Sequence, residues 1–291
     1  VDSFLDLLAS ALRMGTPLWL AAMGGLLSER SGVINLALEG FMLIGAFFAA
    51  AAAYSTGNPW LGLAAGAAAG GAIALLFAVL VLPLKGDQVV VGMGINLLAL
   101  GVTPFMAKTL FDVTGSTPSL AMAQRFTYEP LFLAVALIGI IAFWYHRLLS
   151  GLWVQFAGEE PFALTAAGIK VNAVRWVTVL LSGALAGIGG AALSTMLASQ
   201  FSRGMTAGNG FIAVAAIILG GWKPLPTAAI CLLFGFIDAL QMRLQAWFST
   251  SSFAWIVPLV QLLPYIVTLI VLGGFLRGVR APAALGSYEE E

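Results

Sequence analysis

The sequence predicts an all-α, polytopic membrane protein with about 8–10 transmembrane helices. Three observations lead there. Of 291 residues, 60% are hydrophobic and 9% are charged, against about 25% charged in a typical soluble domain. Apolar stretches near 20 residues long recur from end to end, and the connections between them are short. Disorder, a disulfide-stapled secreted scaffold and an ordinary cytosolic enzyme are excluded by that balance.

A helix needs about 20 apolar residues to cross a hydrocarbon core roughly 30 Å thick. The expected spans are 4–27, 33–54, 60–82, 89–111, 130–149, 175–198, 201–222, 225–246 and 257–276. In the first, Phe4, Leu7, Leu8, Ala11 and Leu12 share one face, so its start is read as interfacial until Pro17 turns the chain inward. The seventh is interrupted by Gly204, Gly208 and Gly210, leaving Phe211 to Leu219 as its unbroken apolar run. It is read as a broken helix that still spans, of the kind that lines a cavity. No charged n-region and cleavage series precedes the first span, so no signal peptide is expected.

Orientation follows from the basic residues. Arg30, Lys85, Arg147, Lys170, Arg175, Lys223, Arg277 and Arg280 fall on alternate connections. The reading places them in the cytoplasm, with the N-terminus outside and the C-terminus inside. A single transmembrane domain over 1–291 results, ending in a short acidic tail at 280–291. Basic and acidic residues number 13 each, so no nucleic-acid partner is expected.

Gly62, Gly66 and Gly70, and again Gly183, Gly187 and Ala191, recur every four residues. Such stripes bring helix backbones close together, either inside one subunit, the favoured reading, or at a dimer seam. Polar groups inside spans are costly and mark function or structure. Asn35 and Glu39 are expected one helical turn apart on one face. Glu39 is read as a cavity or gate residue, or as a buried partner for Arg or backbone amides at a helix break. Asn96, after Gly92-Met93-Gly94, is read as an interhelical hydrogen bonder or a ligand contact.

Catalytic equipment is not legible. One His (His146) and one Cys (Cys231) cannot assemble a metal site of the usual nitrogen and sulfur ligands. There is no G-x-x-x-x-G-K-[ST] string, and no nucleophile and base are recognisable together. No cofactor is expected in this chain, and any ATP hydrolysis would be done elsewhere.

The connection Ala157 to Val171 carries the clearest signal. Glu159 and Glu160 open it, Pro161 suits a first helical turn, Gly168 suits a left-handed stop and Lys170 follows. A helix of about two turns from Phe162 to Ala167 is expected. Its apolar surface folds back on the membrane or, as favoured here, docks into a groove of a soluble partner.

The stretches ERSGVINLALEGFMLIGA (29–46), GDQVVVGMGINLLALG (86–101), AGEEPFALTAAGIKV (157–171) and GNGFIAVAAIILGGWKP (208–224) resemble those of ABC-importer permeases of the branched-chain amino acid, simple sugar and nucleoside family. The wording is most similar to the smaller permease of bacterial nucleoside uptake systems. The resemblance implies an inner-membrane, multi-pass subunit with two related halves near 33–46 and 208–222. It also implies a homologous second permease as heterodimer partner, cytoplasmic ATP-binding subunits that carry ATP and Mg, and an extracytoplasmic substrate-binding lipoprotein. The family's coupling helix falls on 159–168, with Glu159, Glu160, Pro161, Phe162, Ala166 and Gly168 as contact candidates. Asn35, Glu39, Asn96, Asn209 and Phe211 are the candidates for the substrate pathway. The alternatives are a simple-sugar permease, an ion-driven transporter using Glu39 and Asp238, and a membrane subunit with no transport path.

Overall fold

A computed structural model describes residues 2–249, 257–260, 262–263, 266–267 and 280–287. The described residues form α1 (Asp2–Arg30), α2 (Leu38–Thr56), α3 (Pro59–Val81), α4 (Gln88–Phe111), α5 (Glu129–Arg147), α6 (Leu149–Glu159), α7 (Pro161–Ala166), α8 (Val171–Ala192), α9 (Asn209–Leu219), α10 (Pro224–Ser249) and α11 (Val257–Val260). Six of the described helical stretches are long and apolar enough to cross a membrane: α2, α3, α4, Met122–Arg147, Val171–Leu197 and Pro224–Phe248. The expected span at 257–276 and the tail beyond Ser287 lie largely outside the described residues.

α1 corrects one expectation. It runs unbroken through Pro17, so no interfacial piece ends there. At about 1.5 Å per residue it is about 43 Å long, and from Thr16 to Glu29 every residue is buried. Packing on both sides outweighs the one backbone bond that proline removes: α8 and α10 flank it, with the Trp19 indole donating to the Ala228 carbonyl at 2.7 Å.

α2, α3 and α8 form the tightest part of the bundle, and the two glycine stripes meet there. A methyl group on Gly70 would stand 2.8 Å from Gly187 Cα, and one on Gly66 would stand 3.0 Å from the Gly45 carbonyl. Where a soluble core would use interlocking side chains, this one uses backbone against backbone, which gains dispersion contacts that lipid cannot match. Both stripes therefore serve packing within the chain.

The basic residues sort by end. Arg30, Lys223 and Arg280 border one cavity, and Arg175 donates to the Ser31 carbonyl beside it. At the opposite end, Arg13 donates to the Met196 carbonyl and lies over the Tyr128 ring. There the 115–126 segment pairs with 195–203 through Thr117 N to Phe201 O (3.1 Å), Leu120 N to Ser199 O (2.6 Å) and Arg203 N to Gly115 O (2.6 Å). These bonds close the non-helical stretch 198–208 that precedes α9, after α8 has ended in a π-helical turn at Leu193–Leu197.

Candidate functional site: two helix starts that meet inside the bundle

Between α1 and α2 the chain is not helical, and residues 31–37 enter the bundle as a buried loop. A non-helical backbone at that depth persists only where protein satisfies its polar groups. α8 supplies one set of partners at i, i+3 and i+7. Arg175 Nε donates to Ser31 O at 3.1 Å, Thr178 Oγ1 donates to Ser31 Oγ at 2.8 Å, and Ser182 Oγ accepts from Asn35 Nδ2 at 2.8 Å. α4 supplies the other. Gln88 Oε1 accepts from Ile34 N (2.6 Å), while Asn96 accepts from Gly40 N and donates to Leu36 O (both 2.8 Å). Asn96 is eight residues into α4, about 12 Å along its axis, so α2 begins well inside the membrane thickness.

Asn35 and Glu39 therefore do not share a helical face as expected. Asn35 precedes the helix and its Oδ1 accepts from Ala37 N at 3.2 Å, a local turn that competes with helix. Asn35 and Asn96 are both buried, with each end of each amide engaged.

α9 also begins inside the bundle, after a non-helical run, and 11 residues give it about 16 Å. Its N-terminus meets the first turn of α2 at Glu39. One carboxylate oxygen accepts from Thr206 Oγ1 (2.6 Å) and Gly208 N (2.9 Å), and the other accepts from Gly210 N (2.7 Å). These are the unsatisfied amides and positive pole of a helix start, and a carboxylate suits both. Gly210 lies directly on the Glu39 backbone, where a Cβ would collide with Glu39 N. Asn209 is half-buried beside this junction, and Phe211 projects from it 40% exposed. Of the five pathway candidates, the structure gathers Glu39, Asn209 and Phe211 at the junction and places Asn35 and Asn96 in its supports.

The other end of α9 is held too. Trp222, three residues past the helix, donates its indole N–H to the buried Glu29 Oε2 at 2.6 Å. Glu29 was not singled out in the sequence, nor were Thr178, Ser182 and Gln88. Their signal was present in α8, where Arg175, Thr178 and Ser182 make a polar stripe at helical spacing in an apolar span.

At the basic end, α7 has Pro161 at its first position and Gly168 follows in the left-handed region, φ 81°. The helix extends over Pro161–Ala166, and Glu159 belongs to the end of the preceding α6 rather than to its start. Pro161 and Leu164 face inward, Leu164 with Ala157 and Val171, whereas Phe162 is 72% exposed. Glu160 and Ala166 are exposed as well. Glu159 Oε1 pairs with Arg30 Nη1 at 2.7 Å. Residues 280–287 then strap this corner together: Ala284 N donates to Gly158 O (2.8 Å), Gly286 N to Gly32 O (2.9 Å) and Ala283 N to Glu159 Oε2 (3.3 Å).

Residues 7–272 match the family described as branched-chain amino acid transport system, permease component. The chain belongs to that family. This permease is 34% identical to the guanosine ABC transporter permease protein NupQ of Bacillus subtilis, over 95% of its own length and 94% of the relative's. It is 33% identical to the nucleoside ABC transporter permease protein NupC of Lactococcus lactis subsp. cremoris, over 98% and 97%. It is also 34% identical to the putative glucose ABC transporter permease protein TsgC13 of Haloferax volcanii, over 82% and 78%. The permease is thus a multi-pass inner-membrane transport subunit, and the junction at Glu39 is its candidate pathway element.

Proposed function

We propose that this permease forms, with a homologous second permease, the translocation path of an ATP-driven nucleoside importer. Separate cytoplasmic subunits bind ATP and Mg and hydrolyse ATP, an extracytoplasmic lipoprotein delivers substrate, and this chain carries neither cofactor nor catalytic residue. The basic end is then cytoplasmic, and α7 is the element that seats in the ATPase.

One observation carries the reading. Consecutive residues at the end of α1 hold the two elements that must be coupled: Glu29 binds Trp222 behind α9, and Arg30 binds Glu159 in front of α7. A push on α7 therefore reaches the helix break through a single helical turn. The relatives with guanosine and nucleoside in their names align over nearly the full chain, which supports nucleoside over sugar as cargo. The exposed Phe211 ring offers a stacking face for a nucleobase at the pathway.

The test is uptake by the complete transporter in proteoliposomes, with ATP hydrolysed per guanosine imported as the readout. Guanosine uptake should need internal ATP and be competed by other nucleosides but not by glucose. Phe211→Ala should raise KM for guanosine by about tenfold, the loss of a stacking contact worth about 1–1.5 kcal/mol. Glucose uptake without guanosine uptake assigns the sugar reading. Uptake abolished by an ionophore but indifferent to ATP overturns the whole scheme.

A further inference from the structure

A second cavity, of about 320 Å³, lies at the basic end between α1, α5, α6 and α8. It is built almost wholly from carbon: Leu27, Trp144, Trp153, Val174 and Val177 make its walls, and the Trp144 indole N–H is already spent on Ser150 Oγ at 2.8 Å. One charged side chain lines it, Lys170, which stands exposed just before α8 and has no ion-pair partner among the described residues. Along α8 the cavity is continuous with a surface on which Val177 is 57% and Leu181 47% exposed, and α8 is one of the spanning stretches.

A groove that opens along the apolar face of a span opens onto lipid chains, not water. Two tryptophans lining one groove, Trp144 in the last turn of a span, match the aromatic belt of a membrane–water boundary, and a lysine there lifts its ammonium toward headgroups. We propose that this groove binds one anionic phospholipid, an acyl chain between Trp144 and Trp153 and the phosphate at Lys170. Charge complementarity selects the anionic class: the mouth of the groove presents a cation and no acid. The site adjoins Ile169 at the end of the α7 segment, so the lipid wedges α6 against α8 where α7 is attached. This inference rests on the membrane spans and stands independently of the nucleoside reading.

The experiment uses the assembled transporter in bilayers containing phosphatidylglycerol or phosphatidylcholine with brominated chains. Quenching of Trp153 is isolated as the difference between the wild type and Trp153→Phe. Brominated phosphatidylglycerol should half-quench Trp153 at about fivefold lower mole fraction than brominated phosphatidylcholine, the preference one surface lysine confers. Lys170→Gln should erase the preference while leaving quenching by both lipids. Ala173→Phe, which places a ring in the groove from an exposed position, should weaken quenching by both lipids in a transporter that still elutes as one assembled species. Equal quenching in the wild type, or a preference that survives Lys170→Gln, overturns the proposal. Quenching seen in the permease pair but lost when the ATPase subunits bind overturns it too, because the groove then belongs to a protein.

Discussion

The Glu39 carboxylate accepts from the Gly210 amide at 2.7 Å, across 171 residues of sequence. That bond joins the first turn of α2 to the first turn of α9, and the same side chain takes up Gly208 N and Thr206 Oγ1. Glu39→Ala leaves three donors unpaired at a half-buried helix start and should destabilise the permease by about 3 kcal/mol. Glu39→Gln keeps one acceptor oxygen without charge and should cost about half as much. Thermal unfolding of the purified complex in detergent checks this. An alanine variant melting with the wild type would show that Glu39 is not a structural clasp.

The glycines divide by surroundings, and their alanine variants should divide with them. A Cβ at Gly187 would meet the Gly66 carbonyl and stand 3.2 Å from Gly70 Cα, all backbone. Gly187→Ala should therefore cost about 1–3 kcal/mol through overpacking. Gly101 in the middle of α4 has nothing within 4 Å of such a group, so Gly101→Ala should stabilise by about 0.5–1 kcal/mol through backbone entropy. Melting temperatures that move in the same direction for both would defeat the packing account.

Arg30 and Glu159 form a partly exposed pair, so its removal should change stability by no more than about 1 kcal/mol. Transport should respond differently. Glu159→Lys should raise the ATP consumed per nucleoside imported, and the exchange Arg30→Glu with Glu159→Lys should restore part of the coupling. Coupling left intact by Glu159→Lys would remove this pair from the transmission path.

Trp222→Phe keeps an aromatic ring and deletes the donor that Glu29 uses. Leaving a buried acceptor without its donor costs about 1–3 kcal/mol, so the variant should lose about that much. The effects of Trp222→Phe and Glu29→Leu should be strongly non-additive, since both remove the same contact. Simple additivity in a double-mutant cycle on unfolding would mean that the two residues do not act together.

Periodicity carried much of this architecture. Four-residue glycine spacing marked α3 and α8 as close-packing helices, because small residues along one face let backbones approach. That the two stripes meet each other rather than a second subunit is shown by the fold. Pro161 and Gly168 bracketed α7 because each restricts or permits one backbone angle locally. The start of α2 was misplaced for the opposite reason. An apolar run from Val33 onward looks helical by composition, and only the partners on α4 and α8, 54 to 147 residues away, hold it open. Glu29 was passed over on the same ground, since its partner Trp222 is 193 residues distant. Pro17 misled because burial by neighbours, not local geometry, decides whether a long central helix survives a proline.

The strap at residues 283–286 sets an order of assembly. Ala284 and Gly286 add hydrogen bonds to Gly158 and Gly32, which already pack against each other, and both donors lie downstream of every span described here. During synthesis the loop into α2 and the corner before α7 are both inserted while the segment that ties them is still unmade. The corner before α7 is thus the last to be sealed. A chain stopped short of residue 283 would carry α1 to α10 yet leave that corner without the bonds from Ala283, Ala284 and Gly286.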